Sequence, residues 1–563
     1  MDPQPAAGGR CPITSPSPRR GNFFPVEAFE KLPDRPLERR TLLKVGGLGA
    51  LATTLASIGS LAWMPKRAAA LPFTSFPDIQ FDIGNFIAPV QTIAGVPVHF
   101  GPVYTFLAPA TLTRTPIRTD QQVLANALAK VEASYSFSPG GIFVFVAYGL
   151  PYFNRLPASL VAASMPRLSF DHNRFVLEEA VPGPTDFGMP GISKAQANFQ
   201  VPVQIEHNDV LFTLRSDSLA NIADVSAWFN GSNILKGKNV PSPNFNGLFN
   251  FGTSRLNFVQ PGLPRQLADQ LSAAGAAPFT TFNSEINPAS SMWMGFVDQQ
   301  VDGSAAQGAT VTFAGANAGG NIGKLTTAQS GDYFDNGSIQ HLSHVLDDLQ
   351  QFYNKDPQLF TGAEPFSERV QYMFRSRTNN QTSGLPFPED PNDQFTNGGG
   401  LGAPTGNLST QQQSAFLPDL FFGPDDMATN FDPAVTDRQK LRVGHESALQ
   451  RSGRAADGTP LHIRMDGPGL SSLDVPDGST LPTLEFTAFV PTAEFFRVLR
   501  INAASLDFVE AGQNGGTAAS VPPGVEAADS EDDGLERFLS ATRRQNFLIP
   551  PRRQRAFPLL ELT

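Results

Sequence analysis

Residues 441–466 read LRVGHESALQRSGRAADGTPLHIRMD, with His445 near the start and Arg464 near the end, 19 positions apart. A neutral imidazole is the commonest side-chain metal ligand, haem iron included, and a guanidinium that keeps its proton suits negative charge developing on a nearby oxygen. One segment thus offers a ligand and a charge-stabilising group, and the rest of the chain reads as their scaffold. His462 lies close to Arg464 and stands as an alternative ligand or pocket residue. Other chemistries find little support. The chain has no Gly-x-Ser-x-Gly nucleophile turn, no phosphate-binding GxxxxGK[ST] and no GxGxxG after a strand, and Gly398-Gly399-Gly400 falls in a polar insertion.

The His445–Arg464 pair resembles the C-terminal part of the dye-decolourising peroxidase family, in which a proximal His is followed at a similar distance by a distal Arg. The family's second signature is an upstream Gly-Phe-x-Asp-Gly segment, and Met294-Gly295-Phe296-Val297-Asp298 resembles it, with Gln299 in place of the last glycine. Met465 and Asp466 also depart from the residues that follow the family's Arg. The resemblance implies haem b held by His445 on one face, with Asp298 and Arg464 over the other. Hydrogen peroxide would be reduced and an organic donor oxidised. Asp298 would move the peroxide proton as base and then acid while Arg464 stabilises charge as the O–O bond breaks. Glu485 is a candidate partner for the second imidazole N–H of His445, and Trp293 a candidate electron relay or, more simply, a core aromatic. The alternative is a haem-free divergent relative that keeps the fold as an exported binding or structural protein, a reading favoured by Gln299 and Asp466.

The resemblance also implies an α+β fold of two ferredoxin-like halves, of the dimeric α+β barrel type. Strand-then-helix units agree with it. Ile142–Tyr148 (IFVFVAY) is a continuous apolar run that fits a strand buried on both faces. Asp209–Ser216 alternates as a strand and resembles the family's Gly-Gly-Asp strand, with His207-Asn208 replacing the glycines. Helices are expected at 120–131, 156–164, 218–229, 339–353 and 493–505, and a strand at 483–490. On a helix, His341, His344 and Asp348 would share one face as a possible divalent-metal site, although a plain polar face explains them more simply, since no HExxH arrangement or fourth ligand accompanies them.

Composition bounds the remainder. The chain of 563 residues exceeds one ordinary core, and 40% hydrophobic content permits a substantial one. Its single cysteine, Cys11, lies in the leader, which excludes disulfide and thiolate chemistry from the exported part. Arg39-Arg40, an apolar Gly/Ala-rich run over 45–63 and Ala68-Ala69-Ala70 read as a twin-arginine export signal cleaved near residue 70. The run is long enough to anchor in a bilayer, but Gly46, Gly47 and Gly49 and the small residues after it favour cleavage and no stable membrane insertion. Removing residues 1–70, with ten Lys/Arg and five Asp/Glu, takes the net charge from −11 to −16. Such a chain should repel nucleic acid and anionic lipid, and nucleic acid is not expected as a partner. The expected organisation is a signal at 1–70, an irregular wrap at 71–141, ferredoxin-like halves at 142–330 and 331–510, an acidic Gly-rich linker at 511–534 and a tail at 535–563. A short helix is expected over 535–547. The basic and apolar end of the tail is expected to clamp back onto the acidic body.

Overall fold

The computed structural model describes residues 75–87, 91–93, 96–98, 101–169, 171–177, 203–260, 262–286, 291–294, 308–317, 325–353, 462–493 and 539–563. The first half contains Tyr104–Leu112 (β1), Arg118–Ser134 (α1), Phe143–Gly149 (β2), Val210–Ser216 (β3), Leu219–Phe229 (α2) and Arg255–Phe258 (β4). These four strands pair antiparallel, in the spatial order β4–β1–β3–β2. Chain order and strand order together are those of a ferredoxin-like βαββαβ unit. The half therefore begins at Tyr104, ahead of the boundary expected at 142, and the supposed wrap supplies its first strand and helix.

Local signals explain these elements. Every residue of β2 is buried, as its unbroken apolar run requires. In α1, Leu124, Ala127, Leu128 and Val131 make one buried stripe, and Asp120 accepts a hydrogen bond from Ile117 N at 2.8 Å at its start. Ser218 caps α2 by accepting from Asn221 N at 3.3 Å.

The second half repeats the order. Ser338–Asp347 (β5), Ile463–Arg464 (β6), Gly467–Ser471 (β7), Leu481–Val490 (β8) and Leu539–Ile549 (β9) pair antiparallel as β9–β5–β8, with β6 and β7 both on the far edge of β8. The two sheets join where Phe547 and Leu548 of β9 pair with Gly149 and Tyr148 of β2. Their outer edges also meet. Asn257 on β4 donates to Met465 O at 3.0 Å and to Glu485 O at 3.3 Å. A Cβ at Gly469 would stand 3.0 Å from Leu256 O, so the absence of a side chain lets β7 approach β4. Inside, Gln340 on β5 donates to Thr213 Oγ1 on β3 at 3.0 Å, across strands that are not neighbours. The arrangement is an α+β barrel with helices on its outside.

Two expected helices are strands. The run 339–353 forms β5 followed by one helical turn, Leu349–Phe352, and the run 535–547 lies largely in β9. In β5 all ten residues are buried, so its apolar positions lose the alternation that marks a half-exposed strand. Their chance spacing imitates a helix. Expected segments at 379–410, 494–505 and 512–534 lie outside the described residues.

Residues near both ends of the chain close the barrel. Phe81 stacks on Phe489 at one mouth, with ring centroids 4.2 Å apart. Where β2 and β9 part company, the Gln80 side chain bridges them, accepting from Val146 N at 3.0 Å and donating to Val146 O at 3.0 Å and Pro550 O at 2.8 Å. The tail folds back as expected: Arg552 and Arg555 pair with Glu132, and Arg553 with Asp78 and Asp335. Phe557 and Leu559 take left-handed backbone conformations (φ 46° and 69°), costly for bulky residues. Hydrogen bonds hold them there, with Phe557 N donating to Tyr148 Oη and Leu559 N to Tyr333 Oη, each at 2.7 Å. Among the described residues no helix is long and apolar enough to cross a membrane.

Candidate functional site

The edge strand β6 presents Arg464 on the outer face of the second sheet, opposite Ala488 of β8. Ala488 pairs with His341 of β5, and His341 with Asn546 of β9, so Arg464, Ala488, His341 and Asn546 form one row across four strands. Two residues along, Phe486, Ser343 and Arg544 make the next row of the same face. The registers of Arg464 with Ala488 and Gly467 with Glu485 bring Asp466 opposite Phe486. Sheet spacings make this patch about 14 Å across the strands and 7 Å along them.

The patch combines cations with neutral polar groups. His341 is buried; its Nδ1 pairs with Asn546 Oδ1 at 2.7 Å and its Nε2 with the Ser343 hydroxyl at 2.6 Å. Burial outweighs the Asn546 hydrogen bond and, with nearby Arg544, pushes the imidazole pKa down to about 3. A neutral ring suits this pairing, with Nδ1–H donating to Asn546 and Nε2 accepting from Ser343. Burial also lowers the Arg544 guanidinium to about 9, which leaves it charged at neutral pH. Arg464 retains 15% side-chain exposure, and its Nε stands 4.0 Å from Asp466 Oδ1. Such a surface can orient an anionic or strongly polarised ligand through two guanidinium groups, with Phe486 supplying an apolar contact.

Of the residues singled out in the sequence, Arg464 sits on this face, while Asp298 and His445 lie outside the described residues. Glu485, considered as a partner for His445, points the other way: its Oε1 pairs with His344 Nδ1 at 2.8 Å inside the barrel. The proposed metal trio is dispersed, because on a strand positions three apart face opposite sides, which separates His341 from His344. Among the described residues no cluster of three or more His, Cys, Asp or Glu could hold a metal ion. Trp293 is a buried core residue whose Nε1 donates to Gly469 O at 3.0 Å. Sequence reasoning missed His341, Asn546 and Arg544 as a patch. Their common face exists only once β5 and β9 are read as strands in register.

No curated protein matches the chain. Among solved structures, a putative DyP-type peroxidase from Shewanella oneidensis is 13% identical with a TM-score of 0.38, covering 82% of this chain and 96% of its own. The encapsulated DyP-type peroxidase from Mycobacterium smegmatis is 12% identical with a TM-score of 0.39, covering 84% and 97%. A dye-decolorizing peroxidase from Bacteroides thetaiotaomicron is 11% identical with a TM-score of 0.37, again covering 84% and 97%. The fold assignment itself rests on strand order and pairing. Residues 177–384 match the model of a family described as "Family of unknown function (DUF7405)".

Proposed function

We propose that the chain is an exported, haem-dependent peroxidase-like protein that reduces hydrogen peroxide at the expense of an organic donor. The observation that carries this reading is Arg464: the residue picked out by its spacing from His445 lies on the polar outer face of the second half. The donor set there fits the distal side of a haem, with two guanidinium groups for negatively charged oxygen or carboxylate and Phe486 and Ala488 for apolar contact. When bound, haem supplies the redox centre. His445 would hold the iron, Arg464 would orient peroxide and balance developing negative charge, and Asp298 would carry the peroxide proton from one oxygen to the other. The twin-arginine leader accords with this reading, since that route exports proteins already folded around a cofactor.

A second reading draws on Asp466, whose carboxylate shares the face with Arg464 and competes for its positive charge. In that case the chain is a haem-free exported binding protein of the same fold. A visible spectrum of the mature protein, made with haem available, separates the two. A Soret band that is lost or strongly shifted in His445→Ala is the expected result. Absence of a band in the wild-type protein overturns the haem reading. If the band is present, peroxide-dependent dye oxidation should fall at least ~100-fold in an Asp298→Ala, Arg464→Leu double variant that keeps its haem.

A further inference from the structure

The barrel interior carries a second polar constellation, on the opposite face of the strands that bear Arg464. Gly467, Glu485, His344 and Arg543 form one inward row across β7, β8, β5 and β9. Glu206 extends the row around the barrel, with Oε2 2.6 Å from Arg255 Nη2 and Oε1 3.8 Å from Arg543 Nη1. Arg255 stands on β4, two positions from Asn257, which contacts β8 by donating to Glu485 O. The Cβ position of Gly469, between these walls, is 3.3 Å from Glu485 Cγ and 3.0 Å from Leu256 O. Arg255, Glu206, Arg543, His344 and Glu485 thus form a ring at the end of the barrel opposite the Phe81 plug.

Hydrogen bonding in this ring is incomplete. Arg255 is 2% exposed, yet its Nε and Nη1 have no hydrogen-bond partner. Glu485 is also 2% exposed, and its Oε2 has none, nor does Asn257 Oδ1. A buried polar atom left in this state is destabilising, a charged one most of all. Such atoms in native proteins are usually satisfied by a protein group, an ordered water or a bound ion or ligand.

The unsatisfied atoms are the guanidinium donors of Arg255 and the amide oxygen of Asn257 on β4, and the carboxylate oxygen of Glu485 on β8. The charges in the ring are otherwise partnered: Arg255 by Glu206, Arg543 by Asp474 and Glu206, and Glu485 Oε1 by His344 and Thr483. A lone anion would satisfy only Arg255 and a lone cation only Glu485, whereas a guest bearing both charges satisfies both. Close approach of β4 to Gly467 and Gly469 narrows this part of the barrel and favours a small guest. We propose that this end of the barrel binds a small zwitterion of the α-amino acid type, its carboxylate on Arg255 and its ammonium on Glu485. Arg543, with 23% side-chain exposure, marks the entrance.

Isothermal titration of the full mature chain with glycine tests this, beside acetate and methylammonium as half-ligands. Saturable one-to-one binding of glycine is expected, weakened at least ~10-fold in Glu485→Gln and in Arg255→Lys. Arg464→Leu, on the opposite face, should leave it unchanged. Should Glu485→Gln fail to fold, Arg255→Lys and the half-ligands still decide the matter. No saturable binding of glycine, meaning that water alone satisfies these atoms, overturns the proposal. So does equal binding of acetate alone, or binding unaffected in the folded variants.

Discussion

The row Leu256–Phe106–Leu214–Val144 on the first half and the row Asn546–His341–Ala488–Arg464 on the second lie on corresponding strands of two sheets with one strand order. In the first row every side chain is apolar and buried in the core that includes Leu124, Leu128, Ile222 and Val225 of α1 and α2. In the second, only Ala488 is apolar. A sheet face that merely supports a helix gains most from apolar burial, at about 25 cal/mol per Å² removed from water. Placing a histidine, an asparagine and two arginines on the matching face forgoes that gain and obliges each group to find a partner. The first half is built for stability, and the second gives up part of it for a polar surface.

The largest expected effect probes the first face. Phe106→Ala should cost about 3–5 kcal/mol of unfolding free energy in a denaturant titration. A loss below ~1 kcal/mol would show that this layer is not the tightly packed one. Next in size is a pH effect confined to the second face. His341 is held neutral in the folded protein, with a pKa of about 3 against an ordinary 6.5. As pH falls through 6.5 the unfolded chain takes up the proton first, so stability present above that value is lost on the way down to about 3. The slope should approach 1.4 kcal/mol per pH unit. His341→Asn should remove that contribution, and an unchanged profile would mean that another group sets the acid limit.

A smaller effect concerns the joint between the halves. Gln80→Ala strands Val146 N–H and two carbonyl groups and should cost about 1–3 kcal/mol. Separate unfolding transitions for the two halves in this variant would show that Gln80 couples them. The smallest effect belongs to Arg464→Leu, which should change stability by no more than ~1 kcal/mol, since the side chain is partly exposed at an edge strand. A loss above ~2 kcal/mol would make Arg464 a structural residue and remove the contrast between the two faces.

Legibility from sequence followed burial. Strand 143–149 and helices 118–134 and 219–229 could be read because apolar continuity, a 3.6-residue stripe or a capping serine announced them. Strands β5 and β9 could not. β5 is buried on both faces and contains two histidines, two serines and a glutamine, so neither alternation nor an unbroken apolar run appears in it. The candidate site was half legible: Arg464 stood out through its spacing from His445, while His341 was assigned to a helix with His344, and Glu485, offered to His445, bonds His344.

The sequence by itself determined the fold class, the tail that returns to the body and the residue types available for chemistry. The fold class follows from the motif resemblance together with local pattern, and the others from charge and spacing, all of them properties of neighbours along the chain. Only the tertiary structure decided which side chains share a face. Strand register alternates every residue between inside and outside, and one unrecognised strand sends His341 to the outer row with Arg464 and His344 into the barrel with Glu485.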